Sequence, residues 1–337
     1  MKRVTIKDIA EHLTISVSTV SRALSDDKNI RKETKEEVLK AARELGYMPN
    51  PVAVNLRCGR TNTVGVLVPE MVTPYASNVI RGIQRVLYAQ GIKVIIADSH
   101  ECFETERENL QTMERFMVDG IILSICDYKK NQHEYERLQR EGMPLVFFDR
   151  IPNGIEASQV IVDDYIKSFF LVEHLIRSGK KNIVHFKGPD TIYNSQLRLR
   201  GYKEALSKFH LNDSDNLVIE AGRIFNEGAA AVDKLIASGV AFDSIFAFTD
   251  TVGIGALNRL RELGYSIPSE VSVSSFSGTE LSTITYPQLT SVSPPLEQMG
   301  IESARLLLEK IKNPESPTRS IVLDADTIYR ASTIIND

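Results

Sequence analysis

The stretch Val4 to Leu24, VTIKDIAEHLTISVSTVSRAL, limits what this chain can fold into more than any other. Ile6, Ile9, Ala10 and Leu13 follow the i, i+3, i+4, i+7 spacing of one helix face. Thr5 precedes that face and Asp8 sits three residues on, close to a capping box. The pattern breaks for one short turn at Leu13, Thr14 and Ile15. Ser16 suits the N-cap of a second helix that buries Val20, Ala23 and Leu24. Two short helices joined so tightly cannot lie antiparallel. They cross steeply, as in a helix-turn-helix. The outward face of the second helix then carries Val17, Ser18 and Arg22. A methyl-bearing residue, a hydroxyl and a guanidinium suit base edges in a major groove. A small helical hairpin with a solvated polar face would carry the same pattern.

The next segment of the chain narrows the choice. A third helix over about Lys32 to Leu45, with Val38, Leu39, Ala42 and Leu45 on one side, closes a core neither earlier helix buries alone. Glu33, Glu36 and Glu37 favour its N-terminus through the helix dipole, and Gly46 ends it. Asn50 and Pro51 then suit the N-cap and first position of a helix to about Arg57. That helix is too short to be stable alone and needs something docked against it.

Here Thr5-Ile-Lys-Asp-Ile-Ala10, Ser16-x-x-Thr-Val-Ser-Arg22, Glu44-Leu-Gly-Tyr47 and Pro49-Asn-x-x-Ala53-x-x-Leu56 resemble the lactose/galactose repressor family of bacterial transcription factors. The resemblance continues through Thr63-Val-Gly-Val-Leu-Val-Pro69, Val118-Asp-Gly-Ile-Ile122, Phe148-Asp-Arg150, Arg198-x-x-Gly-Tyr202 and Ile245-Phe-Ala-Phe-Thr-Asp250, so it spans nearly the whole chain. It implies an all-α helix-turn-helix head, a hinge helix, and a body like a periplasmic sugar-binding protein.

Composition fits that division. The first 60 residues carry a net charge of +4 and the remainder −8, within a total of −4. A basic head on an acidic body suits nucleic-acid contact at one end. Cys58, Cys102 and Cys126 are odd in number and lack metal-site spacing, so neither a disulfide framework nor a metal site is expected. Free thiols suit a reducing cytosol. No N-terminal signal region is present, and no run reaches the ~18 apolar residues of a membrane span. A cytoplasmic location is expected, against a secreted sugar-binding protein.

After a polar link from Cys58 to Asn62, apolar runs alternate with helical patterns. The strands expected are 63–68, 93–97, 120–124 and 144–148, then 182–186, 217–219, 244–248 and 271–273. Val79, Ile80, Ile83, Val86 and Leu87 line one of the intervening helices. Such alternation implies parallel sheets covered on both faces. The body thus reads as two doubly wound α/β halves. The expected organisation is head 1–48, hinge and linker 49–62, and body 63–337. By the resemblance, the first half takes about 63–160 and 292–320, and the second about 161–291 and 321–337.

In open α/β sheets ligands bind outside the carboxyl ends of the strands, and two facing halves make a cleft. The chain has no G-x-G-x-x-G, Walker loop, nucleophile elbow or H-E-x-x-H, so no cofactor and no enzyme activity are expected. A sugar-binding protein or sugar-converting enzyme without a DNA role is the alternative, but it leaves the head unexplained. The expectation is a sequence-specific DNA-binding regulator of carbohydrate metabolism, a homodimer on a pseudo-palindromic operator. The helix from Tyr75 to Gln90 is the candidate dimer contact. The chain ends without a heptad segment, so no coiled-coil tetramer is expected.

Val17, Ser18 and Arg22 are assigned to bases, and Thr19, Ser21 and Ser25 to phosphates. Thr5 and Arg57 complete the DNA set with Ala53, which lets paired hinge helices approach, and Leu56, which by resemblance is a minor-groove wedge. Thr14 stands where the family's turn often has Gly or Asn, and Arg31 where a Ser cap is usual. The resemblance implies Tyr75, Asp149, Asn194, Arg198, Asp250 and Ser277 as effector-binding residues. Ser277 stands where the family usually has an Asp, and Ala76 where a second aromatic often follows. The loss of that charge beside Arg198 favours an acidic sugar, such as a uronate or sugar phosphate. The loop 222–227 looks one residue short, which would turn Arg223 either inward or outward.

Overall fold

A computed structural model describes residues 4–48 and 60–334. The chain divides into two units, 1–61 and 62–337. The head contains α1 (Ile6–Leu13), α2 (Val17–Leu24) and α3 (Lys32–Glu44). The Thr5 backbone N–H and hydroxyl both donate to the Asp8 carboxylate, at 2.6 and 2.7 Å. Ser16 caps α2 by accepting from the Thr19 N–H at 3.0 Å. Thr14 closes the intervening turn at φ 55°, a left-handed conformation that is costly for a β-branched residue. Ile9, Ala10, Val20, Ala23, Val38, Ala41 and Ala42 form the core. Leu39, expected inside, is 46% exposed, and Ala41 takes its place. Positions 38, 41, 42 and 45 share one helical stripe, and 39 lies off it. Arg31 precedes α3 without a side-chain cap bond.

The body is built from two six-stranded sheets. The first contains β1 (Thr63–Val68), β2 (Lys93–Asp98), β3 (Ile121–Leu123), β4 (Leu145–Phe148), β5 (Ser158–Val162) and β11 (Ser320–Leu323), ordered β11-β5-β4-β3-β1-β2. All its pairings are parallel. The second contains β6 (Ile183–Lys187), β7 (Val218–Glu220), β8 (Ser244–Ala247), β9 (Ser272–Phe276), β10 (Thr290–Ser293) and β12 (Asp326–Ile328), ordered β12-β10-β9-β8-β6-β7. Only β12 runs antiparallel among the described strands of that sheet. In the first half, α4 (Pro74–Ala89), α5 (Phe103–Arg115), α6 (Gln132–Arg140) and α11 (Leu296–Lys312) cover the sheet. In the second, α7 (Asp164–Arg177), α8 (Tyr193–Lys208), α9 (Phe225–Ala237) and α10 (Asp250–Glu262) do so. Burial on both faces explains why strands such as TVGVLV and LVFF are apolar throughout.

The chain passes between halves at Asp163, at Pro294-Pro295 and at Asp324-Ala325. These points differ by a few residues from those expected. Ile161 and Val162 still pair with Val322 and Leu323 in the first sheet, so β11 lies in the first half through Leu323. The last strand is Asp326–Ile328.

One buried residue sets an acid limit on this fold. His185 on β6 is fully buried, with its ring stacked against Tyr202 at 5.2 Å and Phe246 at 4.7 Å. Its Nδ1 lies 2.9 Å from the Phe246 carbonyl, which can only accept, so Nδ1 carries the hydrogen and Nε2 has no partner. Burial pushes its pKa down to about 3. The unfolded chain takes up a proton near pH 6.5 that the folded state refuses. Stability is therefore full above that pH and lost as pH falls from about 6.5 towards 3. We expect His185→Phe to narrow the gap between melting temperatures at pH 7 and pH 5. An unchanged gap would assign the acid sensitivity elsewhere.

Candidate functional site

The six residues assigned to the effector come together in one cleft between the halves of the body. Tyr75, Asp149, Asn194, Arg198, Asp250 and Ser277 all line it, with Ser124, Arg150, Arg223 and Phe248 among others. The cleft encloses about 100 Å³. Its walls are the carboxyl ends of β1, β2, β3 and β4 in one half and of β6, β7, β8 and β9 in the other. That position is the one open α/β sheets use for ligands.

The assigned side chains are also bonded to one another. The Tyr75 hydroxyl donates to Asp149 Oδ1 at 2.9 Å. Asn194 of α8 donates to Asp149 Oδ1 at 3.2 Å and to Asp164 Oδ2 at 3.0 Å, so one amide links both halves. Arg198, 4% exposed, donates from Nε to Asp164 Oδ1 at 2.7 Å and from Nη1 to the Phe248 carbonyl at 2.6 Å. Its guanidinium lies 3.8 Å from the Phe276 ring centroid and 4.7 Å from that of Phe248. Two aromatic faces and a buried carboxylate therefore fix one orientation of the fork. Burial raises Asp164 to about 6 against the opposing pull of Arg198, and it also raises Asp149.

Asp250 behaves differently from the expectation. Its Oδ1 accepts from Ser275 at 2.7 Å and Ser291 at 2.6 Å, and its Oδ2 from the Thr279 N–H at 2.6 Å and hydroxyl at 2.8 Å. A carboxylate offers about four acceptor sites, and all are spent on protein. Asp250 thus ties down the loop that carries Ser277. Burial raises its pKa, opposed by Ser291, Ser275 and Thr279. Ser277 adopts φ 131° and Asp149 φ 57°, both strained for residues with a Cβ.

Sequence reasoning missed much of the charge in the cleft. Arg150 donates from Nη1 to both oxygens of Glu101, at 3.0 and 2.8 Å. Arg223 turns inward. It pairs with the same Glu101 and lies 3.8 Å from Glu70. Its carbonyl is held by the Thr251 hydroxyl at 2.6 Å. His100 and Glu101 sit at φ 50° and 56°, so two successive non-glycine residues in the left-handed region aim Glu101 across the cleft. The polar end of β2 was visible in sequence, but nothing there signalled this partner. One buried polar atom in the lining, Ser124 Oγ on a residue 2% exposed, has no hydrogen-bond partner.

In the head, Val17, Ser18 and Arg22 are exposed on α2. The hydroxyls of Ser18 and Thr19 lie 2.7 and 2.8 Å from that of Ser16, inside the cap. Ser25 Oγ donates to the Ser21 carbonyl at 2.5 Å. Thr5 is exposed at the start of α1, and Ser21 is half-buried. Ala53, Leu56, Arg57 and the expected hinge helix lie outside the described residues. Among the described residues no group of three or more potential ligands could hold a metal, and no helix is long and apolar enough to cross a membrane.

Comparison with known proteins agrees with both units. Residues 5–50 match the family described as "Bacterial regulatory proteins, lacI family", and 172–333 match "Periplasmic binding protein-like domain". The chain is 31% identical to the ribose operon repressor of Halalkalibacterium halodurans, over 98% of this chain and 97% of that protein. It is 32% identical to catabolite control protein A of Priestia megaterium, over 95% and 96% of the two. A solved complex of the transcriptional regulator CelR with cellobiose aligns at 27% identity and a TM-score of 0.73, covering 98% of this chain and 100% of that one. The lac repressor dimer bound to operator and the anti-inducer ONPF shares the fold, with a TM-score of 0.87 at 21% identity, over 99% and 100%. With a helix-turn-helix head, a two-sheet body around a polar cleft and full-length relatives that are repressors, the chain belongs to the lacI family of bacterial transcriptional regulators.

Proposed function

We propose that this protein is a dimeric repressor of a carbohydrate pathway whose operator affinity is set by an acidic sugar bound in the cleft. The observation that carries the ligand site is the convergence of polar side chains from both halves on one cleft, in which the buried Ser124 Oγ has no partner. Buried polar groups are rarely left unsatisfied, and a ligand reaching Ser124 would satisfy it. The acidic class is supported by the spent acceptors. Asp250 has no capacity left for a ligand hydroxyl, and Asp149 Oδ1 already takes two bonds. The charged donors of the lining are arginines, whose forks suit carboxylate or phosphate. Effector and operator are coupled through the body, and the coupling is reciprocal. Fluorescence anisotropy with operator DNA and calorimetry with the effector must then give the same coupling factor from both directions. Unequal factors, or an effector that leaves operator affinity unchanged, would refute the reading.

Ser277 sets the ligand's charge in this scheme. Ser277→Asp would return a carboxylate to the cleft near Arg198. It is expected to weaken an acidic sugar at least tenfold, about 1.4 kcal/mol, and its neutral analogue much less. Equal losses would remove Ser277 from the argument.

Val17, Ser18 and Arg22 are the proposed base-reading residues, and a dimer on two half-sites supplies selectivity that one head lacks. Arg22→Ala should cost roughly 1–3 kcal/mol at one base pair per half-site, measured as lost discrimination among operator variants. Uniform weakening on every sequence would make Arg22 a phosphate contact. A stable monomer in sedimentation, with tight operator binding, would overturn the dimer.

A further inference from the structure

Glu101 is the least expected residue of the cleft. It contributes a carboxylate where a ligand's polar groups would sit, and its side chain is only 11% exposed. Two arginines from opposite halves meet there. Arg150, from the end of β4, spans both its oxygens, and Arg223, from the loop after β7, reaches Oε1. Two successive left-handed residues, His100 and Glu101, hold it in place. Arg223 Nη1 is paired with Glu101 Oε1, so two guanidiniums share one carboxylate. Glu70, the other carboxylate near Arg223, stays 3.8 Å away.

We infer that Glu101 is a tethered stand-in for the anionic group of the effector. Arg150 and Arg223 form an anion subsite that its carboxylate fills in the absence of ligand. The acidic group of the effector replaces Glu101 at Arg223, while Arg150 keeps Glu101 as its counterion. This rests on the reading of the cleft as the effector site. It makes Arg223 a specificity-determining residue, because a ligand group that replaces the Glu101 carboxylate there must bring its own negative charge. A neutral hydroxyl in that place would leave the guanidinium short of a counter-charge, so neutral sugars leave the Glu101 pair intact.

The test vacates the subsite. In full-length Glu101→Ala, inorganic phosphate or acetate at millimolar concentration is expected to raise the melting temperature by several degrees, while the parent protein responds to neither. The response should vanish in Glu101→Ala/Arg223→Gln. A larger rise with phosphate identifies a phosphorylated sugar, and a larger rise with acetate a sugar acid. Should Glu101→Ala fold poorly, Arg223→Gln in the parent background is read by calorimetry with glucose 6-phosphate, glucuronate and glucose. At least a tenfold loss confined to the acidic sugars is expected. Identical anion responses in parent and Glu101→Ala, or no selective loss in Arg223→Gln, would overturn the inference. If anions fill the vacated subsite but no acidic sugar alters operator affinity, the subsite stands. The effector assignment and the functional reading beneath it then fall together.

Discussion

Arg198→Ala is expected to destabilise the body by roughly 3–5 kcal/mol and to abolish its response to effector. The side chain is buried, bonded to Asp164 and to the Phe248 carbonyl, and packed between two aromatic rings. Its removal leaves Asp164 as a buried carboxylate with only the Asn194 amide, at 3.0 Å, for support. Asp164 already titrates at about 6 because of burial, and losing Arg198 pushes it higher. The folded variant then holds a proton that the unfolded chain releases. Its stability falls as pH rises through the window between the ordinary aspartate value and the raised one. The deficit relative to the parent should therefore be larger at pH 7.5 than at pH 5, as read by urea denaturation. A pH-independent deficit, or one below about 1 kcal/mol, would show that the pair is not what stabilises this region. The double variant Arg198→Met/Asp164→Leu separates the two roles. An apolar pair of similar volume should recover most of the stability and none of the effector response.

Gly300→Ala should cost about 3 kcal/mol or more, at the upper end of what overpacking usually costs. A Cβ at Gly300 would lie 2.0 Å from the Val79 carbonyl oxygen, and one at Gly82 would lie 2.1 Å from that of Glu297. Helices α4 and α11 therefore meet backbone to backbone, with a glycine from each at the crossing. No rotamer change can relieve a clash with a carbonyl, so a whole helix must shift. The expected fall in melting temperature is roughly 6–12 °C. Gly82→Ala should do the same, and the double variant should lose less than the sum, because one displacement makes room for both methyls. A loss below about 1 kcal/mol would mean that the crossing is looser than its geometry.

That crossing also marks where sequence reading stops. Val79, Ile80, Ile83 and Leu87 announce α4 by their spacing, because the rule involved is local. Nothing local distinguishes Gly82 as a contact from Gly82 as a tolerated defect. The same limit hid β11, whose apolar run is only Ile321 to Leu323 and whose four residues alternate between exposed and half-buried on a sheet edge. The cleft was legible to the extent that its residues sit at strand ends. Six assigned side chains converge there, but what each one does depends on partners far away in sequence. Asp250 reads as an acceptor for ligand until Ser275, Thr279 and Ser291 are seen to use it up. Arg223 could turn either way from sequence, and Glu101, more than a hundred residues earlier, meets it inside the cleft.

The three passages between the halves of the body are one, two and two residues long. Tethers this short make every contact across the cleft an intramolecular event. Groups on opposite walls meet at an effective concentration of about millimolar or higher, with no diffusional encounter to wait for. A single ion pair or amide bridge, worth little between separate molecules, is enough under those terms to bias opening against closing. The protein can therefore tune its resting state by one cross-cleft residue at a time, without rebuilding either half.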